Sequence, residues 1–459
     1  MLTTRIQVLV IDSVHLDEDK QIARNRSVPW TIYVKSRDIT EDEVSKFKVL
    51  EKKGIEDKIA IIGNNKDSYA TTIVNLLNRT TKDDIIRLLS VLTNDLLIEL
   101  DGFQASLLAL NKIDSSLPYA AFSKYLNSHD QVVSLLSSYN LTLLFVLQDK
   151  TQIVDNLRDT TPFINELYQY LFEKLLSNDD INLQFIGAQL LKELLSVKVY
   201  RDLFWNGPNK WLKDLLNLFD NKTSDLQLKY YALLSVWLLT FNKDIVNELP
   251  NQHPEIVPLL LNIAKESVKE KLVRVAVSSL LNLVSVDNNE AIVKVVLLHK
   301  GLITVKKLNE RKWTDEELKT DLENLLTVVN ETVITLTTFD EYENELKTGK
   351  LTWSPAHKAE QFWIDNSEVF REQNWKHLKT LLSLLEGSSD LEPSQKYLNQ
   401  AIVCHDVAEL LKHLPESLDV LNKLGAKAKI MALLNSPDAN VKYEALNATQ
   451  TFVSLVFNH

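Results

Sequence analysis

The sequence predicts an all-α chain, a solenoid of stacked helical hairpins in two domains. Three observations lead there. Only 9 glycines and 11 prolines occur in 459 residues, and sheet folds use more of both in their turns. Hydrophobic content of 45% and charged content of 25% are those of a packed globular chain. One helical pattern also returns every 45 residues through the middle of the chain. At ~150 residues per core, this length asks for more than one domain.

In chain order, periodicity is weakest before residue 180. Helices are expected there over 82–100, 117–127, 130–148 and 162–177, the last with Thr161 as cap and Pro162 at its first position. The repeat then begins: an apolar residue, a polar or basic one, a mostly small residue four positions after the first, and apolar residues eight and eleven after it. Leu183-Gln184 leads to Gly187, Leu191 and Leu194, and Leu228-Lys229 to Ala232, Val236 and Leu239. Val273-Arg274 leads to Val277, Leu281 and Val284, and Leu318-Lys319 to Leu322, Leu326 and Val329. A period of 45 lies within the ~40–47 residues of HEAT and armadillo repeats. Between Lys271 and Ser285 the polar residues Lys271, Arg274, Ser278 and Asn282 fall on one narrow stripe, and apolar residues cover the rest. A surface helix needs one apolar face; a helix apolar on most sides is flanked by neighbours, as the inner helix of a solenoid is. Gly187 and Ala232 mark places where a neighbouring helix must come close.

Further on, Thr314 is expected to cap a helix running to Val329, with Glu317 completing a capping box. The β-branched run Thr332 to Thr338 then resists helix continuation. The expected division is therefore an N-terminal repeat domain over 1–330, a linker at 331–335, and a C-terminal repeat domain over 336–459. The second domain opens with Phe339, Tyr342, Trp353, Phe362, Trp363, Phe370 and Trp375, aromatics that form either its core or a binding platform. A further copy of the pattern, Val441-Lys442 with Ala445, Thr449 and Phe452, lies out of the 45-residue register.

No phosphate-binding loop, dinucleotide fingerprint, serine-hydrolase elbow or zinc-protease signature occurs, so no catalytic, cofactor-binding or metal-ligating residues are assigned. The single cysteine, Cys404, is followed by His405 and Asp406, but adjacent residues on a helix point apart, and it reads as a buried small hydrophobe. A net charge of −11 opposes general nucleic-acid binding. The N-terminus lacks a signal-peptide pattern, and the longest apolar helical stretch, Tyr230 to Leu239, falls short of the ~20 residues of a membrane span. A cytosolic protein without direct membrane insertion is expected. Lys229, Arg274 and Lys319, the basic residues in second pattern position, form a candidate groove for an acidic partner helix, or else only solvate the concave edge. Gly387, Ser388, Ser389, Asp390, Leu391, Glu392, Pro393 and Ser394 join two strong helices and form a candidate contact loop.

Ordered blocks along the chain carry a resemblance. They include Arg24-Asn-Arg-Ser-Val-Pro-Trp30, Tyr200-Arg-Asp-Leu-Phe-Trp205, Trp237-Leu-Leu-Thr-Phe-Asn242, Leu308 to Leu318, Leu336 to Tyr342, Trp353-Ser-Pro-Ala-His357, Leu414 to Val420 and Lys442-Tyr-Glu-Ala-Leu446. With these the chain resembles the H subunits of vacuolar proton-translocating ATPases, in their fungal form. The resemblance implies a non-catalytic regulatory subunit without cofactors, peripheral on the cytosolic face of the vacuolar membrane or other acidified endomembranes. Its N-terminal domain would hold the peripheral-stalk subunits E and G, and its C-terminal domain would meet the cytosolic part of the membrane sector's a subunit. When the catalytic sector detaches, the C-terminal domain would bridge that sector's B subunit and the central rotor and stop ATP hydrolysis; the loop 387–394 is the candidate for that contact, and Lys229, Arg274 and Lys319 for the stalk. The alternative is an armadillo-type adaptor, such as a cargo-binding transport adaptor. Nuclear-transport adaptors, however, repeat Trp and Asn four residues apart, whereas here Trp237 and Asn242 are five apart and occur once.

Overall fold

The computed structural model describes residues 9–148, 150–220, 225–286, 290–336, 339–386 and 391–457. Every regular element among them is helical. The chain is an all-α, HEAT/armadillo-type solenoid, and its contacts gather into two compact units, Met1–Val246 and Asn247–His459.

Four of the five helices that carry the pattern begin in the same way. Asp180 accepts the Asn182 amide at 2.9 Å, and Asp225 that of Gln227 at 2.6 Å. Asp315 accepts from Glu317 and Leu318 at 3.0 and 3.1 Å, and Asp438 from Asn440 and Val441 at 2.9 and 3.0 Å. Each aspartate stands three residues before the first apolar position of the pattern, where its carboxylate satisfies amides that no helical carbonyl can reach. At the corresponding place in the third repeat stands Glu270. Its longer side chain reaches the next repeat, accepting from the Thr314 and Asp315 amides at 2.6 and 2.8 Å and from the Thr314 hydroxyl at 2.7 Å. Thr314 is therefore not the cap that the sequence suggested; Asp315 is, and Glu317 pairs with Arg274.

In the first unit, the helix Ile181–Ser196 packs against Leu171–Leu176, a turn wound in the wider π form. A Cβ on Gly187 would stand 2.8 Å from Leu175 Cβ, so only glycine permits this approach. The helix expected from Pro162 starts earlier: Lys150–Tyr170 contains Pro162, and Thr161 donates its hydroxyl to the Leu157 carbonyl at 2.6 Å instead of capping. A proline removes only its own amide bond, and the flanking turns carry the helix through it. The 117–127 segment forms only the short helix Tyr119–Ser123.

In the second unit, the stripe on Glu270–Val284 is as expected. Lys271 is exposed, and Arg274, Ser278 and Asn282 are half-buried, while Val273, Ala276, Val277, Leu280 and Val284 are buried. The expected stop near Asn330 is corrected, because Glu316–Leu336 runs on through 331–335. The β-branched penalty is only a few tenths of a kcal/mol per residue, and Thr332 sits helically with its hydroxyl on the Val328 carbonyl at 2.9 Å. The aromatic cluster is core: Tyr342, Phe362, Trp363 and Phe370 are buried, with Phe339, Trp353 and Trp375 packed at its edge. The platform reading of these residues is set aside on that burial.

Candidate functional site

The three basic groove candidates differ in what they have left to offer. Lys229, on Leu226–Leu239, is half-buried and has no ion pair among the described residues. Arg274 is shared between Asp315, at 3.1 Å, and Glu317. Lys319 lies 2.6 Å from Glu316, one turn earlier on its own helix. These pairs are at least partly exposed, so each holds the cation by ~1 kcal/mol or less, and an incoming carboxylate can replace the present one. Of the candidate loop, Gly387, Ser388, Ser389 and Asp390 lie outside the described residues. Leu391 is half-buried, and Glu392, Pro393 and Ser394 are exposed. Pro393 opens the helix Pro393–His413, where its missing amide costs no bond.

Cys404 lies fully buried in the middle of that helix, and burial pushes its thiol up to about 12. A thiol held protonated is neither nucleophile nor ligand at neutral pH. Its neighbour Asp406 belongs to a polar cluster that the sequence did not reveal. His357 is entirely buried, with Nδ1 2.7 Å from Asp406 Oδ2 and Nε2 3.0 Å from Glu345 Oε2. The Tyr342 hydroxyl donates to the same Asp406 oxygen at 2.9 Å. The Trp363 indole N–H donates to the His357 carbonyl at 3.2 Å, and His405 Nε2 stands 3.0 Å from it. Burial alone would push His357 toward the neutral form. The Asp406 and Glu345 carboxylates outweigh that and raise its pKa to about 9. Glu345 is pushed upward by its own burial, but the bond from His357 holds it below the usual carboxylate range.

The cluster joins four segments: the helix Phe339–Thr348, the turn Pro355–Lys358, the helix Glu360–Asn366 and the helix Pro393–His413. Its imidazolium lies between two carboxylates at 0% exposure, beyond the reach of any substrate, so its chemistry is that of a clamp. One signal in the sequence could have found it. Asp406 shares a helix face with Ile402, Val403 and Leu410, one turn away on either side, and a carboxylate on such a face needs a buried partner.

The two halves of the chain match two family models, both described as the H subunit of the V-ATPase, over residues 14–329 and 335–457. The chain is 28% identical over 451 residues to the V-type proton ATPase H subunit of Drosophila melanogaster, covering 97% of this chain and 91% of that protein. It is 29% identical over 395 residues to the protein of that name from Dictyostelium discoideum, covering 84% and 83%. A designed armadillo repeat protein aligns with 56% of this chain and 98% of its own, at 14% identity and a TM-score of 0.44. With both halves matched, the chain belongs to the family of V-ATPase H subunits.

Proposed function

We propose that this chain is the regulatory subunit of a vacuolar proton-pumping ATPase, required for ATP-driven proton transport in the assembled pump and inhibitory to ATP hydrolysis by the detached catalytic sector. The observation that carries the reading is the family match over both halves, with relatives named as a pump subunit across almost the whole chain. The physical argument is mechanical. A rotary motor stops when one body grips both stator and rotor, since each turn must then break that grip. A helical-repeat body suits such a task because its stacked helices hold a surface rigidly and offer long faces to other proteins. No helix among the described residues is long and apolar enough to cross a membrane. The subunit would therefore work from the cytosolic face of the vacuolar membrane, held by its partners.

In this reading the division falls at 1–330, 331–335 and 336–459, the N-terminal domain holding stalk subunits E and G. The C-terminal domain meets the membrane sector's a subunit in the joined pump, or the B subunit and the central rotor in the detached sector. The test is co-purification with pump subunits, followed by removal and re-addition of the chain on vacuolar vesicles. Proton transport should stop on removal and return on re-addition. Transport that is indifferent to the chain would end the proposal.

Two finer assignments have their own tests. Lys229, Arg274 and Lys319 offer positive charge to the stalk. Reversal of all three to glutamate should weaken capture of a stalk E–G pair roughly tenfold or more, at about 0.5–1 kcal/mol per partly exposed charge. Unchanged capture would leave these residues as solvated edge only. The loop 387–394 is assigned to the inhibitory contact, because it joins two packed helices and its described part is mostly exposed. Exchange of this loop for an unrelated linker should restore ATP hydrolysis by the detached sector while leaving the helix content unchanged; full inhibition by the exchanged protein would refute the assignment.

A further inference from the structure

We propose that a cationic cleft in the first unit is a binding site for a compact polyanion, a small polyol carrying several phosphates. The cleft encloses about 550 Å³, within the ~300–1,000 Å³ of small-molecule sites. Five cations line it (Lys20, Arg24, Lys52, Lys53 and Lys58) against two carboxylates, Asp95 and Glu99. This local excess of positive charge stands on a chain whose net charge is −11.

The cations come from separate elements that share no sequence pattern. Lys20 and Arg24 lie one turn apart on Val14–Asn25, and Lys58 lies on Ile55–Gly63. Lys52 and Lys53 belong to the connection before it, and Lys52 adopts φ 58°, a left-handed backbone that costs a residue with a Cβ on the order of 1 kcal/mol. Such strain persists only where the surroundings enforce it. The floor is prebuilt. Arg24 grips both oxygens of buried Asp95, at 2.6 and 2.9 Å, and the nearly buried ammonium of Lys20 stands 3.7 Å from the same carboxylate. The charge of Asp95 is thereby balanced within the floor, which leaves exposed Glu99 as the one lining carboxylate facing the three rim lysines, Lys52, Lys53 and Lys58. Lys52 and Lys53 are exposed and Lys58 half-buried, and none of the three has an ion pair among the described residues.

Unpaired ammonium groups around a concave, partly enclosed space call for an anion, and several at once call for one with several charges. Shape and long-range charge choose the class. An extended acidic peptide would run beyond the rim onto a chain that repels it, whereas a compact polyphosphate feels mainly the local field, because charges more than ~8–10 Å away are screened. Val10 and Ile55, both exposed, also line the cleft. The same phosphate cluster can be presented free in solution or as a lipid headgroup.

The experiment is calorimetric titration of the whole chain with inositol hexakisphosphate, with flotation on phosphatidylcholine vesicles with and without phosphatidylinositol bisphosphate. One site is expected, weakening as salt rises. Lys52→Glu, Lys53→Glu and Lys58→Glu together should weaken it by roughly a thousandfold, at about tenfold for each lost charge-assisted contact. The same change at Lys306, Lys307 and Lys312, exposed and without an ion pair among the described residues, should leave it intact. Soluble binding alone assigns a free ligand, and flotation in addition assigns the headgroup. Absence of binding, equal loss in the two triple variants, or a tighter complex with an oligo-glutamate peptide overturns the proposal. A melting curve for each variant distinguishes lost binding from lost fold.

Discussion

His357→Leu should lower the stability of the C-terminal helices by about 3–5 kcal/mol, because it leaves the buried Asp406 carboxylate and the half-buried Glu345 around an apolar side chain. Asp406 would keep only the Tyr342 hydroxyl. Its second oxygen, Oδ1, is buried and has no hydrogen-bond partner among the described residues. Glu345 would lose the bond that holds its charge within the fold. The loss should appear in urea titration with hydrogen exchange read on peptides from Pro393–His413; unchanged protection there would show that the cluster clamps nothing. The same clamp gives stability a pH dependence. A folded pKa of about 9 against an ordinary 6.5 means that the fold binds this proton more tightly than the unfolded chain does. The contribution is therefore complete below 6.5 and is lost as pH rises through about 9. Glu345, held low, contributes in the opposite sense: its share is present above 4.5 and is lost as acid protonates it. In the His357→Leu variant the decline between neutral and alkaline pH should flatten.

Trp363→Ala should cost a further ~3–5 kcal/mol, as large aromatic truncations in packed cores do. Trp363 is 1% exposed and stacks on Phe370 with centroids 5.8 Å apart. It also meets Phe362 at 5.3 Å and Tyr342 at 5.9 Å. Its indole N–H holds the His357 carbonyl, so the two substitutions share a structure and their costs should fall short of additive in the double variant. The measurement also tests the assignment of Trp363 to the core. A platform residue would lose partner binding at unchanged stability; a core residue loses stability first.

How much of this was legible from residues alone depends on how many of them carried each signal. The repeat was legible because an inner helix is covered on nearly every side, which leaves the narrow stripe of Lys271, Arg274, Ser278 and Asn282 in an otherwise apolar segment. Gly187 was legible because a small residue recurring at a fixed pattern position can only mean a close neighbour. The caps were harder. Asp180, Asp225, Asp315 and Asp438 share one offset from the pattern, but single aspartates are easily lost among 62 acidic residues. The polar cluster left only one trace, Asp406 among apolar helical neighbours, because Tyr342, Glu345, His357 and Asp406 are brought together by tertiary packing. The stop assigned at Asn330 failed for a different reason: a weak local preference was weighed as though it outranked the hydrogen bonding of a helix already formed. The family was legible only through the ordered blocks, since a solenoid by itself accommodates many partners.

The most direct measurement is ATP hydrolysis by the catalytic sector, detached from its membrane sector and freed of this subunit, as the purified chain is added back. Hydrolysis should fall in a saturable way and approach zero at one chain per sector. Hydrolysis that stays constant through saturating additions, with the chain shown to be bound, would contradict the account.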